Sequence, residues 1–189
     1  LMNHYLDITL QPDPEFDALD LMDALYAKLH RAFVSMNNQH IGVSFPAIQS
    51  GKLGLGKTLR LHGSESHLSA LMAVNWLTGM RDHVEVSAIS PVPSDCTRYG
   101  VMSRVQAKSN PERERRRLMR RKGVDEATAR EKIPDSSAEV LNLPHVRLRS
   151  QSTGQKFFLF IRQGEAVSTP TEGTFNAYGL SATTTVPLF

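Results

Sequence analysis

The chain has 189 residues, of which 40% are apolar, and a formal net charge of +3. This length and composition indicate a globular protein with one large or two small domains, and exclude a disordered chain. The longest purely apolar run, residues 157–161, is too short to cross a bilayer, so we expect no membrane association. A single cysteine, Cys96, excludes an internal disulfide. Because no secretory leader precedes the first predicted strand either, we expect a cytoplasmic protein.

The first half of the chain alternates between strand and helix patterns. Strands are predicted at 5–10, 41–45, 58–62 and 84–89, and helices at 17–35 and 64–76, with Ser64 as N-cap. The order β-α-β-β-α-β is that of the ferredoxin-like split βαβ unit, which is also the plan of RNA-recognition motifs. It ends near residue 95, where Ser90-Pro-Val-Pro-Ser-Asp predicts a linker.

The second half predicts a smaller group of elements. A strand at 99–105 is followed by an arginine-rich helix and by helical pieces at 125–132 and 135–141. Two strands, 146–150 and 155–162, then form a hairpin with Gly154 at a turn position of positive φ, and a loop-rich tail follows from Gly164. The predicted fold class is therefore α+β, with a ferredoxin-like domain at 2–95 and a smaller α+β RNA-binding domain with the arginine-rich helix at 96–189.

The charge of the chain is concentrated in one segment. Residues 104–122 contain nine of the 22 Lys and Arg residues but only two of the 19 acidic residues. The rest of the chain contains 13 basic and 17 acidic residues and is therefore acidic. A concentrated cationic segment of this kind favours binding to nucleic-acid phosphates, because each neutralised phosphate releases condensed counterions.

The same segment has the signals of an ordered helix. Asn110 and Pro111 suit its start and Gly123 suits its end. Arginines at three- and four-residue spacing share one face, namely Arg113, Arg116, Arg117, Arg120 and Arg121. A solvated charged face is the ordinary alternative. RNA is favoured because like charges destabilise an isolated helix, and because arginine-rich helices fit the major groove of A-form RNA where a loop or helix end widens it.

One motif matches a nucleotide-binding pattern but lacks the structural context that nucleotide binding requires. Gly51-Lys-Leu-Gly-Leu-Gly-Lys-Thr matches the phosphate-binding loop pattern of nucleotide-binding proteins. Such a loop must lead directly into a helix, whereas Thr58-Leu-Arg-Leu-His alternates like a strand. We therefore expect a glycine-rich loop between two strands, in which Lys52 and Lys57 could touch RNA.

The candidate chemistry rests on histidine. None of the seven histidines has paired metal-ligand spacing, so we expect no metal cofactor. His30 lies at the edge of the apolar face of its predicted helix, where a histidine is most often a surface residue but can also act as an acid or base. A metal-free ribonuclease needs such a group for the ribose 2′-OH, and a serine and a tyrosine could hold that hydroxyl and orient the imidazole. Ser150 and Tyr178 are candidates, although a turn-capping serine and a half-buried tyrosine are the ordinary alternatives.

Three strings of the sequence are long enough to be highly specific, namely Ser103-Arg-Val-Gln-Ala-Lys-Ser-Asn-Pro-Glu-Arg, Arg115-Arg-Arg-Leu-Met-Arg-Arg and Leu148-Arg-Ser-Gln-Ser-Thr-Gly-Gln. On these strings the chain resembles the endoribonuclease that processes CRISPR RNA in type I-F systems, and the resemblance covers essentially the whole chain. It implies a metal-independent enzyme that cuts the precursor transcript at the base of each repeat hairpin and stays bound to its product. The expected products are a cyclic phosphate and a 5′-hydroxyl.

The resemblance also implies roles for individual residues. His30 would act on the 2′-OH, Ser150 would hold the ribose and Tyr178 would orient the histidine. Arg104 and Gln106 would read base edges low in the stem, since arginine pairs well with guanine and glutamine with adenine, and Phe157 would stack on a base. The remaining RNA-binding residues would be Lys108, Arg113, Arg116, Arg117, Arg120 and Arg121.

Two further expectations concern partners. The implied partners are the CRISPR repeat RNA hairpin and other subunits of the type I-F surveillance complex. The alternative is a subunit that grips and caps the RNA hairpin without cutting it. The glycine-rich loop and the Val-Pro-Leu-Phe ending depart from the family pattern, which leaves the loop contacts and the fine repeat preference open.

Overall fold

A computed structural model describes residues 2–48, 54–107, 111–134 and 141–189. The elements in chain order are β1 His4–Leu10, α1 Ala18–Ser35, β2 Gly42–Ser44, β3 Thr58–Gly63, α2 Glu65–Ala73, β4 Val84–Val86, β5 Ser90–Pro91, β6 Tyr99–Val105, α3 Pro111–Lys122, α4 Glu126–Lys132, β7 His145–Arg149, β8 Lys156–Gln163 and β9 Thr185–Pro187. The structure is therefore α+β, as predicted.

The first sheet has the order β2-β3-β1-β4, and all neighbouring strands are antiparallel. Alternate residues of β1, namely Leu6, Ile8 and Leu10, are buried, and Leu59 and Leu61 of β3 join them in the core. This period of two is the pattern that predicted the strands.

Helix α1 packs its apolar stripe into the same core. Asp17 caps its start by accepting a hydrogen bond from the backbone N–H of Asp20. Leu21, Leu25 and Leu29 recur at four-residue spacing and are buried, and Met22 and Tyr26 widen the buried stripe.

Two predicted boundaries around the fourth strand are wrong. The strand ends at Val86 instead of residue 89, because the N–H of Asp7 on β1 bonds to the side-chain hydroxyl of Ser87 and the backbone ladder is interrupted there. Pairing with β1 resumes at Ser90–Pro91, which the sequence assigned to a linker.

Ser64 caps α2 as predicted, by accepting from the N–H of His67. The helix ends at Ala73, earlier than predicted, because Val74 is already extended.

The second sheet has the order β7-β8-β6-β9 and contains the predicted hairpin. Gly154 has φ +69° in the hairpin turn, which confirms the positive φ expected there. Strand β6 pairs along its length with two partners: residues 99–101 with β9 and residues 102–105 with β8.

Contacts within the chain group it into two compact units, Leu1–Val105 with Leu143–Phe189, and Gln106–Asn142. Both sheets belong to the first unit. The predicted domains, 2–95 and 96–189, rest on the order of the predicted elements and stay a prediction.

The second unit contains α3 and α4. Gly123 has φ +62° and donates its N–H to Met119 O, so it ends α3 as predicted. The predicted cap Asn110 and most of the predicted helix at 135–141 lie outside the described residues. Among the helices that the structure describes, none is long and apolar enough to cross a membrane.

Candidate functional site

His30 and Tyr178 meet in the first unit. His30 lies on α1 and is half-buried, and its ring stacks on the Tyr178 ring with centroids 4.1 Å apart and planes 10° from parallel. His30 Nδ1 lies 2.8 Å from the carbonyl oxygen of Ala177, the residue before Tyr178. The folded chain therefore brings together two residues that are 148 positions apart in sequence.

This contact determines which nitrogen of His30 carries the proton. A carbonyl oxygen only accepts hydrogen bonds, so Nδ1 must donate to Ala177 O. In the neutral ring Nε2 is then the unprotonated nitrogen, which can accept a proton. The arrangement resembles the general pattern of a base whose second nitrogen is oriented by a fixed acceptor.

Arg104 and Phe157 extend the site on the side of the second sheet. The Arg104 guanidinium carbon lies 5.5 Å from the Tyr178 ring centroid and 5.9 Å from the Phe157 ring centroid, both within cation–π range. Arg104 is exposed and Phe157 is half-buried, so both side chains are at least partly accessible to solvent. Gln106 is exposed just after β6, and Lys108 lies outside the described residues.

Ser150 begins the hairpin turn after β7. Its hydroxyl accepts from the N–H of Thr153 at 3.3 Å and lies 3.1 Å from the Ser152 hydroxyl, and its N–H donates to Gln155 O. These contacts match the turn-capping alternative. The meeting of Ser150 with His30 stays a prediction.

An ionic cluster that the sequence analysis did not predict joins β7 to α1. Arg147 Nε donates to Asp23 Oδ2 at 2.6 Å, the Arg147 guanidinium also pairs with Asp20, and the Arg147 N–H donates to Asp23 Oδ1. Hydrogen bonding and charge from Asp23 raise the pKa of Arg147. The cluster therefore joins α1, which carries His30, to β7, which leads into Ser150. No local pattern in the sequence signals it, since the partners are more than 120 residues apart.

The arginine face of α3 belongs to the second unit. Arg113, Arg116, Arg117 and Arg120 line one face, and Arg121 is exposed at the end of the helix. Arg116 pairs with Glu112 at 2.6 Å, one turn earlier. Arg115 differs from its neighbours because it is buried and donates to Ile133 O at 2.6 Å, so it joins α3 to the end of α4.

The loop with the nucleotide-binding pattern leads into a strand, as predicted. Thr58 starts β3, so the loop feeds no helix with an N-terminus for phosphate. Lys57 is exposed, whereas Lys52 lies outside the described residues. Among the described residues, no group of three or more His, Cys, Asp or Glu side chains could hold a metal ion.

Comparisons with known proteins agree on one family. A family model described as "CRISPR-associated protein (Cas_Csy4)" matches residues 5–189. The chain is 53% identical over 188 residues to "CRISPR-associated endonuclease Cas6/Csy4" of Pseudomonas aeruginosa (strain UCBPP-PA14), with 100% of both chains covered. It is 43% identical over 188 residues to the protein of the same name from Escherichia coli (strain UTI89 / UPEC), again with 100% of both chains covered.

Proposed function

The chain belongs to the CRISPR-associated Cas6/Csy4 family, and on that premise we propose that it is an endoribonuclease that processes precursor CRISPR RNA. It binds the stem-loop of the repeat, cuts at the base of the hairpin without a metal ion, and stays bound to its product. The observation that carries the proposal is the His30 ring, stacked on Tyr178 and bonded through Nδ1 to Ala177 O.

The cutting step uses His30 Nε2 as the base. Nε2 takes the proton of the ribose 2′-OH, and the 2′-oxygen then attacks the neighbouring phosphorus. The bond from phosphorus to the 5′-oxygen breaks and this oxygen takes up a proton from solvent water, which leaves a 2′,3′-cyclic phosphate on one fragment and a 5′-hydroxyl on the other, while His30 returns its extra proton to solvent. General-base catalysis of this kind contributes roughly 10²- to 10⁴-fold to a rate.

Other residues of the site place the RNA. Tyr178 keeps the imidazole plane fixed by stacking, and Ser150 holds the ribose before the cut. Arg104 and Gln106 read base edges low in the stem, and Phe157 stacks on a base. The cation–π contacts of Arg104 with Phe157 and Tyr178 support this arrangement, because they put the base-reading group beside the stacking surface.

The arginine face of α3 grips the stem in its major groove. Arg113, Arg116, Arg117, Arg120 and Arg121 contact phosphates there, and Lys108 adds a further cationic contact. Four of these arginines lie on one face of the helix, which supports the proposal because a single face can contact several phosphates.

The proposal extends to the setting of the enzyme. Other subunits of the type I-F surveillance complex meet it at the RNA hairpin, in the cytoplasm. The ferredoxin-like plan proposed for residues 2–95 is supported by the antiparallel strand order β2-β3-β1-β4.

The test uses a repeat hairpin incubated with the protein in EDTA. A matched hairpin carries a single 2′-deoxy nucleotide before the base of the stem. We expect cutting of the ribose hairpin alone, loss of cutting in His30→Ala with hairpin binding retained, and normal cutting in the control variant His40→Ala, which removes an exposed histidine elsewhere.

The other outcomes are equally distinct. Tight binding with neither hairpin cut would contradict the enzyme and favour the capping subunit. Cutting of the deoxy hairpin would contradict attack by the 2′-OH, and cutting only after Mg²⁺ is added would contradict metal independence.

A further inference from the structure

The carbonyl that holds His30 is presented by a tight turn with its own internal support. Asn176 Oδ1 accepts hydrogen bonds from the N–H of Tyr178 at 2.8 Å and of Leu180 at 3.2 Å. The backbone closes the same turn, because Asn176 N–H donates to Leu180 O and Gly179 N–H donates to Asn176 O, both at 2.9 Å. One side-chain oxygen thus fixes the direction of the peptide that follows Ala177.

A second support comes from α1. Tyr26 is fully buried and its hydroxyl donates to Tyr178 O at 2.7 Å. Burial raises the pKa of Tyr26 well above its usual range, so the hydroxyl keeps its proton and remains a donor. Tyr26 and His30 are four residues apart and therefore on one side of α1, from which they bind consecutive carbonyls of the turn, Tyr178 O and Ala177 O.

We propose that Asn176 and Tyr26 are positioning residues that set the tautomer of His30, an inference that rests on the proposed function. By holding Ala177 O against Nδ1, they keep the proton of the neutral ring on Nδ1 and leave Nε2 free to take the 2′-OH proton. Tautomer control of this kind has a large effect in the catalytic triad of serine proteases, where its loss lowers kcat by about 10⁴. Neither residue touches the RNA in this scheme, so each acts only through His30.

The chain offers variants that separate this role from folding. Asn176→Ala removes both bonds to the turn, whereas Asn176→Asp keeps an acceptor oxygen at the same place. Tyr26→Phe removes one hydroxyl and preserves the ring in the core. Asn38→Ala is a matched control, because Asn38 Oδ1 also accepts from two backbone N–H groups, those of His40 and Ile41, in a turn after α1.

The first readout is the nitrogen NMR spectrum of the free protein, in which the His30 signals are identified by their loss in His30→Gln. We expect a protonated Nδ1 in the unaltered protein, Asn176→Asp and Asn38→Ala, and a mixture of tautomers in Asn176→Ala. Tyr26→Phe should shift the mixture in the same direction. This measurement needs no RNA, so it stands even if the protein does not cut the hairpin.

The second readout is single-turnover cutting at saturating protein, together with hairpin affinity. We expect Asn176→Ala to cut at least about tenfold more slowly with affinity changed less than about twofold, and Asn176→Asp to recover the rate. An unchanged Nδ1 proton in both Asn176→Ala and Tyr26→Phe would overturn the proposal. Equal rate losses in Asn176→Ala and Asn38→Ala would also overturn it, since they would indicate general loss of stability.

Discussion

Replacement of the exposed arginines of α3 gives the most direct test of the proposed contacts between this helix and RNA phosphates. Arg117, Arg120 and Arg121 have no ion pair among the described residues, whereas Arg116 is paired with Glu112. Each phosphate contact that is lost should lower the slope of log K against log[salt] by about 0.7 to 0.9. The triple alanine variant of the three should therefore lower the slope by roughly 2 to 3.

Arg116 should respond differently because its charge is already partly compensated. Binding of Arg116 to a phosphate would exchange its 2.6 Å contact with Glu112 for a contact with the phosphate. We therefore expect Arg116→Ala to weaken affinity at low salt while changing the slope by less than one contact.

The assay is fluorescence titration of a labelled hairpin with the protein at several salt concentrations. A matched triple variant, with alanine at Arg31, Arg81 and Arg98, removes the same charge from exposed positions of the first unit. An unchanged slope in the α3 variant, or an equal loss in the matched variant, would refute the assignment of phosphate contacts to α3.

Three further predictions concern stability. Burial lowers the pKa of His62 to about 3 from a usual 6.5, so between these values only the unfolded chain binds the proton. The free energy of unfolding therefore falls by about 1.4 kcal/mol for each unit by which the pH is lowered through this range. His62→Gln should remove this slope in urea titrations between pH 6.5 and 4.5, and an unchanged slope would show that another group titrates. A double-mutant cycle of Arg147→Met and Asp23→Asn should give a coupling of about 1 kcal/mol, because Arg147 is half-exposed, and additive effects would contradict the cluster. Gly179→Ala should lower the unfolding free energy by more than about 1 kcal/mol, since Gly179 has φ +71° and the added carbon lies 2.7 Å from a valine methyl of β2, and an unaltered Tm would contradict this.

The elements of the fold were predictable where a pattern is local. In β1 the buried residues Leu6 and Ile8 are two positions apart, and in α1 the buried residues Leu21 and Leu25 are four positions apart. Both spacings are visible in the sequence alone. The end of the fourth strand was predicted wrongly, because the strand is interrupted where the Ser87 hydroxyl accepts a hydrogen bond from the N–H of Asp7, a residue 80 positions away. No window of a single sequence contains that information.

The residues of the candidate site were likewise predictable only where their signal is local in the sequence. The arginine face of α3 lies within one short segment, so its charge and spacing were readable. The acceptor for His30 is a backbone carbonyl, which has no side-chain signature, and Ala177 was therefore missed. Tyr26 was hidden for another reason, since it occupies an apolar helix position and its hydroxyl bond to Tyr178 O depends on tertiary structure.

The pairing of β6 with two partners bears on the order in which the protein matures during synthesis. Tyr99 bridges to Val167, and residues 99–101 pair with β9, so the segment that carries Tyr178 is tied to β6 at both ends. Because a nascent chain folds from its N-terminal part, the arginine helix emerges from the ribosome well before Thr185–Pro187 can close that segment. The contact of Tyr178 with His30 is therefore completed late in folding, after α1 and α3 have left the ribosome.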